Sequence, residues 1–418
     1  MTLIKTSFLS AIATIVQVLS GFVVTKIIAV YIGSSGLALI GQLQNFINLV
    51  LLVSGDFFKT AVTKYTAELK DDEVKKYGFW STATKIASIL YIGIFIFLFF
   101  FSNQISAYLL SSSRYGYIFK ILAFSIPFFI LNGYLLAILN GQRQIKQYIT
   151  LSISLNIVSL VLVSFLSIVF AIDGALIAYV TNQSVVLLIT LFYLRKEVWL
   201  KLKNFSYKPK LENIKKLFEM SAISFSAVIS SNISLLYIRN YISNTLSLED
   251  AGYWQGIWII SNVSLSLITT SLVTYLLPTL SSIKEKYLMT KELKKTIYLV
   301  FPIASVISVA LYLLRYFIID ILYTKDFSPM GELFLWQMVG NVIKACSWVL
   351  GYVLVAKAMV KYFVLTEFIF ASTMVLLSVY FINHFALVGV TYAYAINTFL
   401  YLIAVTIIYK FKVKEKYV

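Results

Sequence analysis

The chain has 418 residues, of which 60% are hydrophobic and 13% are charged, whereas soluble globular proteins have roughly 45–50% apolar and about 25% charged residues. This composition excludes a soluble fold, and the sequence lacks the short segments of alternating polarity that form an outer-membrane barrel. With one cysteine, Cys346, one histidine, His384, and no GxxxxGK[ST] loop, it also excludes disulfides, most metal sites and a nucleotide-hydrolysing motor. We expect an all-α integral membrane protein without a cofactor or a catalytic residue.

Twelve segments have the 20 or so mostly apolar residues that a membrane-spanning helix needs. The first is longer than the core of a signal peptide and has no small-x-small cleavage site, so we expect it to remain as a helix. In chain order, the predicted spans cover residues 7–32, 37–58, 79–101, 117–139, 148–170, 174–194, 217–243, 251–280, 297–319, 333–356, 362–382 and 386–409.

The positions of lysine and arginine predict the orientation of these spans. If the N-terminus is inside, the inner segments contain 27 of the 35 basic residues and the outer loops contain two, Arg114 and Lys325. Because positive residues are retained on the cytoplasmic side, both termini are predicted to be cytoplasmic. The net charge of +17 is then mainly an orientation signal that can also bind anionic headgroups. Nucleic-acid binding is disfavoured.

A basic loop and an internal repeat predict two six-helix halves. The loop, residues 196–216, separates an N-terminal half, 1–195, from a C-terminal half, 217–418. At an offset of 215, the segment from Phe170 to Asn182 matches the segment from Phe385 to Asn397, with six of thirteen positions identical. Since six is an even number of spans, the halves have the same orientation, which predicts alternating access to a site between them.

Six basic residues lie inside the predicted spans, where a charge costs about 2.5–3.5 kcal/mol and usually faces a wet cavity. Three lie within about five residues of a span end, where long side chains can reach the headgroups: Lys85, Lys120 and Arg315. Three lie deeper: Lys26, Arg239 and Lys344. The deeper group predicts a cationic cavity.

Acids and tryptophans complete the set of candidate site residues. Apart from the interfacial Glu219, Asp56 and Glu367 are the acids within the spans, too few to neutralise the bases, so the transported species should be anionic. A structural salt bridge between Lys344 and Glu367 remains an alternative. The tryptophans near the outer span ends fit an interfacial belt better than a sugar-stacking platform, and both interpretations stay open: Trp254, Trp258 and Trp336.

Several segments of the chain together carry a family resemblance: residues 25–29 with Gly36, 62–65, Arg239-Asn240, 252–255, 275–281 and 333–340 through Gly351 to Glu367. In these segments the chain resembles the Wzx-type lipid-linked oligosaccharide flippases, the lipid III and O-antigen translocases of the polysaccharide-exporter branch of the multidrug/oligosaccharidyl-lipid/polysaccharide superfamily. The resemblance implies twelve helices in a V around a central cavity. It also implies transfer of undecaprenyl-diphosphate-linked oligosaccharide repeat units from the cytoplasmic to the periplasmic leaflet of the bacterial inner membrane.

The resemblance also implies partners and residue roles. Lipid-linked oligosaccharide is the substrate, and anionic membrane lipids, a periplasmic polymerase and chain-length machinery are the expected partners. The candidate diphosphate ligands are Lys26, Lys64, Arg239 and Lys344; the candidate sugar contacts are Trp254, Trp258 and Trp336. Asn262 and Asn341 replace acids that related flippases often carry, so Glu367 and Asp56 are the candidate coupling groups or counter-ions.

Three other functions remain as alternatives. A drug or cation antiporter of the same superfamily would carry buried acids rather than bases. A membrane glycosyltransferase or polymerase would need catalytic carboxylates or a large outer loop, and the predicted outer loops are short. A non-transporting scaffold would leave the deep bases without a role.

Overall fold

A computed structural model describes residues 3–413, apart from the side chains of residues 3–11, 220, 222 and 223. The side chain of Lys5 and residues Lys414 and Lys416, which we counted as cytoplasmic, therefore lie outside the described residues. Within them the structure is helical and contains no strand. The α-helices are α1 (Leu3–Tyr31), α2 (Gly33–Val53), α3 (Lys59–Glu68), α4 (Glu73–Phe100), α5 (Ser102–Leu110), α6 (Gly116–Gly141), α7 (Ile145–Leu194), α8 (Leu211–Thr245), α9 (Leu248–Ser271), α10 (Leu277–Ser282), α11 (Lys286–Leu313), α12 (Arg315–Leu322), α13 (Phe334–Ala356), α14 (Val360–Phe385) and α15 (Val388–Lys412).

The described residues form ten helical stretches that are long and apolar enough to cross a membrane, or eleven if the bent pair Leu211–Glu219 and Ser224–Thr245 is one span. Helix α7 has 50 residues, about 75 Å at 1.5 Å per residue, whereas the hydrocarbon core is about 30 Å thick. It is also broken at Phe170 and Ala171, so its two arms fit two separate crossings. The protein is thus a multi-pass membrane protein, and the number twelve stays a prediction.

The chain folds as two compact units. The first comprises Met1–Ile32 and Leu39–Asn232, and the second comprises Gly33–Ala38 and Ile233–Val418. In the first unit α7 packs against α1 and α6, and α6 packs against α3 and α4; in the second, α13 packs against α11 and α15. The division falls inside α8, so the predicted halves, 1–195 and 217–418, stay a prediction.

The internal repeat is visible in the backbone of each unit. Ala171 has φ 47° and ψ −129°, and Ala386, 215 positions later, has φ 49° and ψ −142°. Arg143 and Ala358 are related by the same offset and also have positive φ, 59° and 50°. L-residues rarely adopt this conformation, so its recurrence at matched positions indicates that both units turn the chain in the same way.

The second predicted span ends earlier than we expected. We predicted residues 37–58, but α2 ends at Val53 and Gly55 then turns the chain with φ 107°. A Cβ at this position would overlap the side chain of Ala87, so both the conformation and the space require glycine. Asp56 therefore begins a short 3-10 helix, Asp56–Phe58, after the turn and does not lie within α2.

The basic linker is folded against the first unit. The indole of Trp80 on α4 lies 5.8 Å from the ring of Trp199 and 5.8 Å from the ring of Phe205. Lys85, which we expected to reach the lipid headgroups, instead donates hydrogen bonds to the carbonyl oxygens of Ser206 and Tyr207 at 3.2 and 2.9 Å. Aromatic packing and hydrogen bonds to backbone carbonyls thus hold the linker, residues 196–216, against α4, and we call this segment the strap.

We predict that Gly389→Ala lowers the thermal stability of the protein. A Cβ at Gly389 would overlap the backbone carbonyl of Phe381, and a clash with backbone in a packed helix pair costs about 1–3 kcal/mol. Unfolding in detergent can be followed with a thiol-reactive dye, because Cys346 is the single cysteine and is buried.

Gly93→Ala is the matched control for this substitution. No heavy atom lies within 4 Å of the Cβ that it would add, and alanine is favoured over glycine inside a helix by about 1 kcal/mol. We expect its melting temperature to stay the same or rise. Equal melting temperatures for Gly389→Ala and the parent would contradict the close approach of α14 and α15.

Candidate functional site

Arg239 on α8 is buried in the second unit, with 2% of its surface exposed. Its guanidinium donates a hydrogen bond to Oε1 of Gln255 on α9. It also lies over the indole of Trp254, 5.4 Å from the ring centroid. An amide oxygen and an aromatic face therefore surround a charge that we predicted from its depth in the span.

Lys344 on α13 lies among three aromatic rings. Its Nζ is 5.6 Å from the ring centroid of Trp258, 5.3 Å from that of Trp348 and 5.3 Å from that of Tyr394. A cation over an aromatic face is stabilised by about 0.5–1 kcal/mol at exposed sites and about 2 kcal/mol or more when desolvated. Three such contacts are comparable with the cost of about 2.5–3.5 kcal/mol of placing a lysine inside a span.

Arg239 and Lys344, the deep bases of the second unit, belong to one cluster. The rings of Trp254 and Trp258, one turn apart on α9, are 5.8 Å apart, and each lies beneath one of the bases. We call the set of Arg239, Trp254, Trp258, Lys344, Trp348 and Tyr394 the basic–aromatic cluster. All of it lies within the second unit.

A network of amides and hydroxyls adjoins the cluster through Tyr394. The Tyr394 hydroxyl donates to Oδ1 of Asn341 at 2.9 Å, and Nδ2 of Asn341 donates to Oγ of Ser261 at 2.9 Å. Gln337 also donates to Ser261, at 2.9 Å. A Cβ at Gly340 would overlap the Tyr394 ring, so this glycine lets the ring lie against α13.

The two acids occupy different surroundings. Glu367 is half-buried on α14 and interacts electrostatically with Lys344, yet the ion pairs found among the described residues do not include one between them. The salt bridge that we considered is therefore not formed. Asp56, in the first unit, forms an ion pair with Lys59, whose side chain occupies the space that a Cβ at Gly133 would fill.

The other predicted site residues lie outside the cluster. Lys26 is half-buried on α1 of the first unit, and Lys64 is exposed on α3 with Nζ 5.2 Å from the Tyr65 ring. Trp336 is 42% exposed and packs edge-on against Tyr392 at 5.4 Å, as an interfacial residue would. Trp254, in contrast, is 1% exposed and has no open face for a sugar.

Sequence reasoning missed several members of the cluster and its network. Helical spacing could have revealed one side, because polar and aromatic residues recur every three or four positions on α13: Gln337, Asn341, Lys344 and Trp348. No local signal identifies Tyr394, which is brought to Lys344 by the packing of α15 on α13.

The charges of the cluster are surrounded by aromatic rings and neutral polar groups. Aromatic rings stabilise a cation through their quadrupole but carry no net charge, so the rings around Lys344 do not cancel the charge of an ammonium group. A carboxylate at ion-pair distance would have cancelled it. The amides and hydroxyls beside the cluster could donate further hydrogen bonds to an anion.

Comparisons with known proteins relate the whole chain to transporters and flippases. A lipid III flippase from Escherichia coli (strain K12) is 29% identical over 376 residues, 88% of each chain. The fold matches that of an inward-facing multidrug resistance MATE family transporter with a TM-score of 0.75 and 12% identity, over 95% of this chain and 94% of the other. It also matches the lipid II flippase MurJ, with a TM-score of 0.74 and 17% identity, over 97% and 87%.

The two solved structures are too distant in sequence to show more than the fold, and both confirm an all-helical membrane architecture of this type. The family model described as "Polysaccharide biosynthesis protein" matches residues 3–284. This match covers more than half of the chain. The chain therefore belongs to the polysaccharide biosynthesis protein family.

Proposed function

We propose that this protein is a flippase that translocates undecaprenyl-diphosphate-linked oligosaccharide repeat units, an O-antigen unit or a lipid III-like unit, from the cytoplasmic to the periplasmic leaflet by alternating access. The observation that carries the proposal is the basic–aromatic cluster, in which aromatic rings surround Lys344 and no carboxylate among the described residues forms an ion pair with it. The similarity to a lipid III flippase over 88% of the chain supports the same substrate class.

The charge of the substrate explains why such a cluster is needed. A polyprenyl diphosphate carries about two negative charges, and an unpaired charge in hydrocarbon is prohibitively costly. Lys344 and Arg239 would replace part of the lost hydration of the diphosphate. Arg239 is buried in this structure, so it would act once α8 and α9 separate or through the field that it adds at Lys344. Lys26 and Lys64 would contribute from the first unit.

A drug or cation antiporter is the alternative with the same fold, and the MATE transporter has that fold. Such a protein needs acids where a cationic drug binds. In the part of the chain that the structure describes, the deep charges of the second unit are Arg239 and Lys344, and Glu367 is the acid near them. The charge balance therefore favours an anionic substrate. In this proposal the protein breaks no bond, since the relatives are flippases and transporters.

We predict that Lys344→Ala weakens binding of a polyprenyl diphosphate by at least tenfold. Removing one partner of a desolvated charge pair costs about 2–5 kcal/mol, and 1.4 kcal/mol is a factor of ten. Binding to purified protein in nanodiscs and flipping in proteoliposomes are the two measurements. Arg239→Ala should act in the same direction.

Lys361→Ala is the control for this experiment. Lys361 is exposed at the start of α14, so its loss should leave both measurements within about twofold, as surface substitutions usually do. If Lys344→Ala and Lys361→Ala bind the diphosphate equally well, the cluster is not the anion site. If the parent protein binds none, the proposed function is wrong.

We also propose that the protein lies in the bacterial inner membrane with both termini and the linker in the cytoplasm, and that its halves, residues 1–195 and 217–418, alternate during transport. There it would meet anionic lipids, and a periplasmic polymerase and chain-length machinery would consume its product.

We predict that Lys208→Cys reacts with an impermeant maleimide only after cells are permeabilised, whereas Lys325→Cys reacts in spheroplasts. Cys346 is buried and supplies little background. Labelling of residue 208 from outside would reverse the topology.

We propose that Glu367 is a counter-ion that partly offsets the positive charge of Lys344 rather than the group that couples transport to protons. We propose the same role for Asp56 toward Lys59. Glu367→Gln keeps the shape of the side chain and removes its charge. We predict that this variant flips substrate with the parent's dependence on an imposed pH gradient and melts at a lower temperature. Loss of the pH-gradient dependence with flipping retained would instead identify Glu367 as the coupling group.

A further inference from the structure

The middle of α2 contains four carboxamides within seven residues: Gln42, Gln44, Asn45 and Asn48. Helix α2 runs from Gly33 to Val53, so these side chains lie near mid-depth in a span of the first unit. Neither the basic–aromatic cluster nor the proposed transport of a diphosphate requires them.

Gln42 is buried, but the other three side chains are not sealed inside the unit. Gln44 and Asn45 are half-buried and Asn48 is exposed. A carboxamide that faces lipid tails gives up its hydrogen bonds to water and gains none. Polar side chains at this depth therefore face the interior of a bundle or a wet cavity. This face of α2 is accordingly a water-accessible surface.

The second arm of α7 adds polar groups beside this face. The Tyr179 hydroxyl interacts with the Gln44 side chain, and Gln183 lies one turn further along α7. The Oε1 of Gln183 accepts a hydrogen bond at 2.8 Å from Nδ2 of Asn132, whose own oxygen accepts from Thr190 at 2.8 Å. The Asn132 side chain is therefore hydrogen-bonded within the protein, and it fixes the orientation of the Gln183 amide.

One hydrogen-bond donor on α2 and one acceptor on α7 are unsatisfied. Among the described residues, Nδ2 of Asn45 and Oδ1 of Asn182 are buried and have no hydrogen-bond partner. Asn45 follows Gln44 on α2, and Asn182 lies one turn from Tyr179 on α7. Because nearly all buried polar groups in proteins are hydrogen-bonded, each of these open groups is suited to a hydrogen bond with a polar ligand.

We infer that Gln44, Asn45, Asn48, Asn182 and Gln183, here called the carboxamide face, form the subsite that binds the sugars of the lipid-linked substrate. Each carboxamide offers donors and an acceptor, which is what sugar hydroxyl and acetamido groups require. None of the five carries a charge, so the ligand is a neutral polyol and not a phosphate. The inference rests on the proposed function and assigns the glycan to the first unit.

The test compares two ligands that differ only in the sugar. Purified protein in nanodiscs is titrated with a short-chain polyprenyl diphosphate and with the same lipid carrying an N-acetylhexosamine. For Gln44→Leu/Asn45→Leu we expect at least tenfold weaker binding of the glycosylated lipid and an unchanged dissociation constant, within about twofold, for the sugar-free lipid. Lys344→Ala should weaken both.

Asn156→Leu is the matched control, because Asn156 is a carboxamide on the first arm of α7 whose Nδ2 donates to its own helix, at the carbonyl of Ser152 2.8 Å away. It should leave both dissociation constants unchanged. Asn48→Leu changes an exposed position and should reproduce the selective loss if the double variant does not fold, as judged by dye labelling of Cys346.

Each other outcome has a separate meaning. If the carboxamide variants weaken both lipids equally, or neither, the face is structural and the inference is wrong. If the parent binds both lipids with the same affinity, the sugar is not recognised, which overturns the inference and leaves the diphosphate site standing. If the parent binds neither lipid, the proposed function fails first.

Discussion

A cation in the apolar part of a membrane protein must be stabilised without water, and the second unit does this with aromatic rings. Trp258, Trp348 and Tyr394 surround Lys344 at 5.3 to 5.6 Å. Rings lower the energy of the ion but leave its charge in place, whereas an adjacent carboxylate would remove it. The choice of partner therefore decides whether the site stays electropositive, and the glycine at position 340 and the hydroxyl–amide network serve to keep the Tyr394 ring in position.

Much of the fold could be predicted because hydropathy depends on local sequence. Depth along a span was predictable in the same way, and Arg239 and Lys344 were found by it. The face of a helix on which a residue lies could not be predicted in this way. Trp254 and Trp258 are near a span end by residue count, which suggested a belt, yet they lie against the bases. Tyr394 joins them through contacts between distant helices, which a single sequence does not reveal.

The two units share a backbone plan but differ in their polar chemistry. The turns at Ala171 and Ala386 and the glycines that follow them are equivalent. The first unit carries the carboxamides of α2 as well as the deep base Lys26, whereas the second unit carries two deep bases, Arg239 and Lys344, among aromatic rings. A substrate with a charged linkage and a neutral glycan presents the same contrast.

The docked linker limits where this chain can be divided. Trp199 and Phe205 pack on Trp80, and Lys85 binds the carbonyl oxygens of Ser206 and Tyr207, so the segment belongs structurally to the first unit even though it looks like a tether. A gene split after residue 195 would expose an indole that is 1% accessible in the intact protein. A split between Lys210 and Leu211 would leave the strap in place, and the yields of the co-expressed fragments would report the difference.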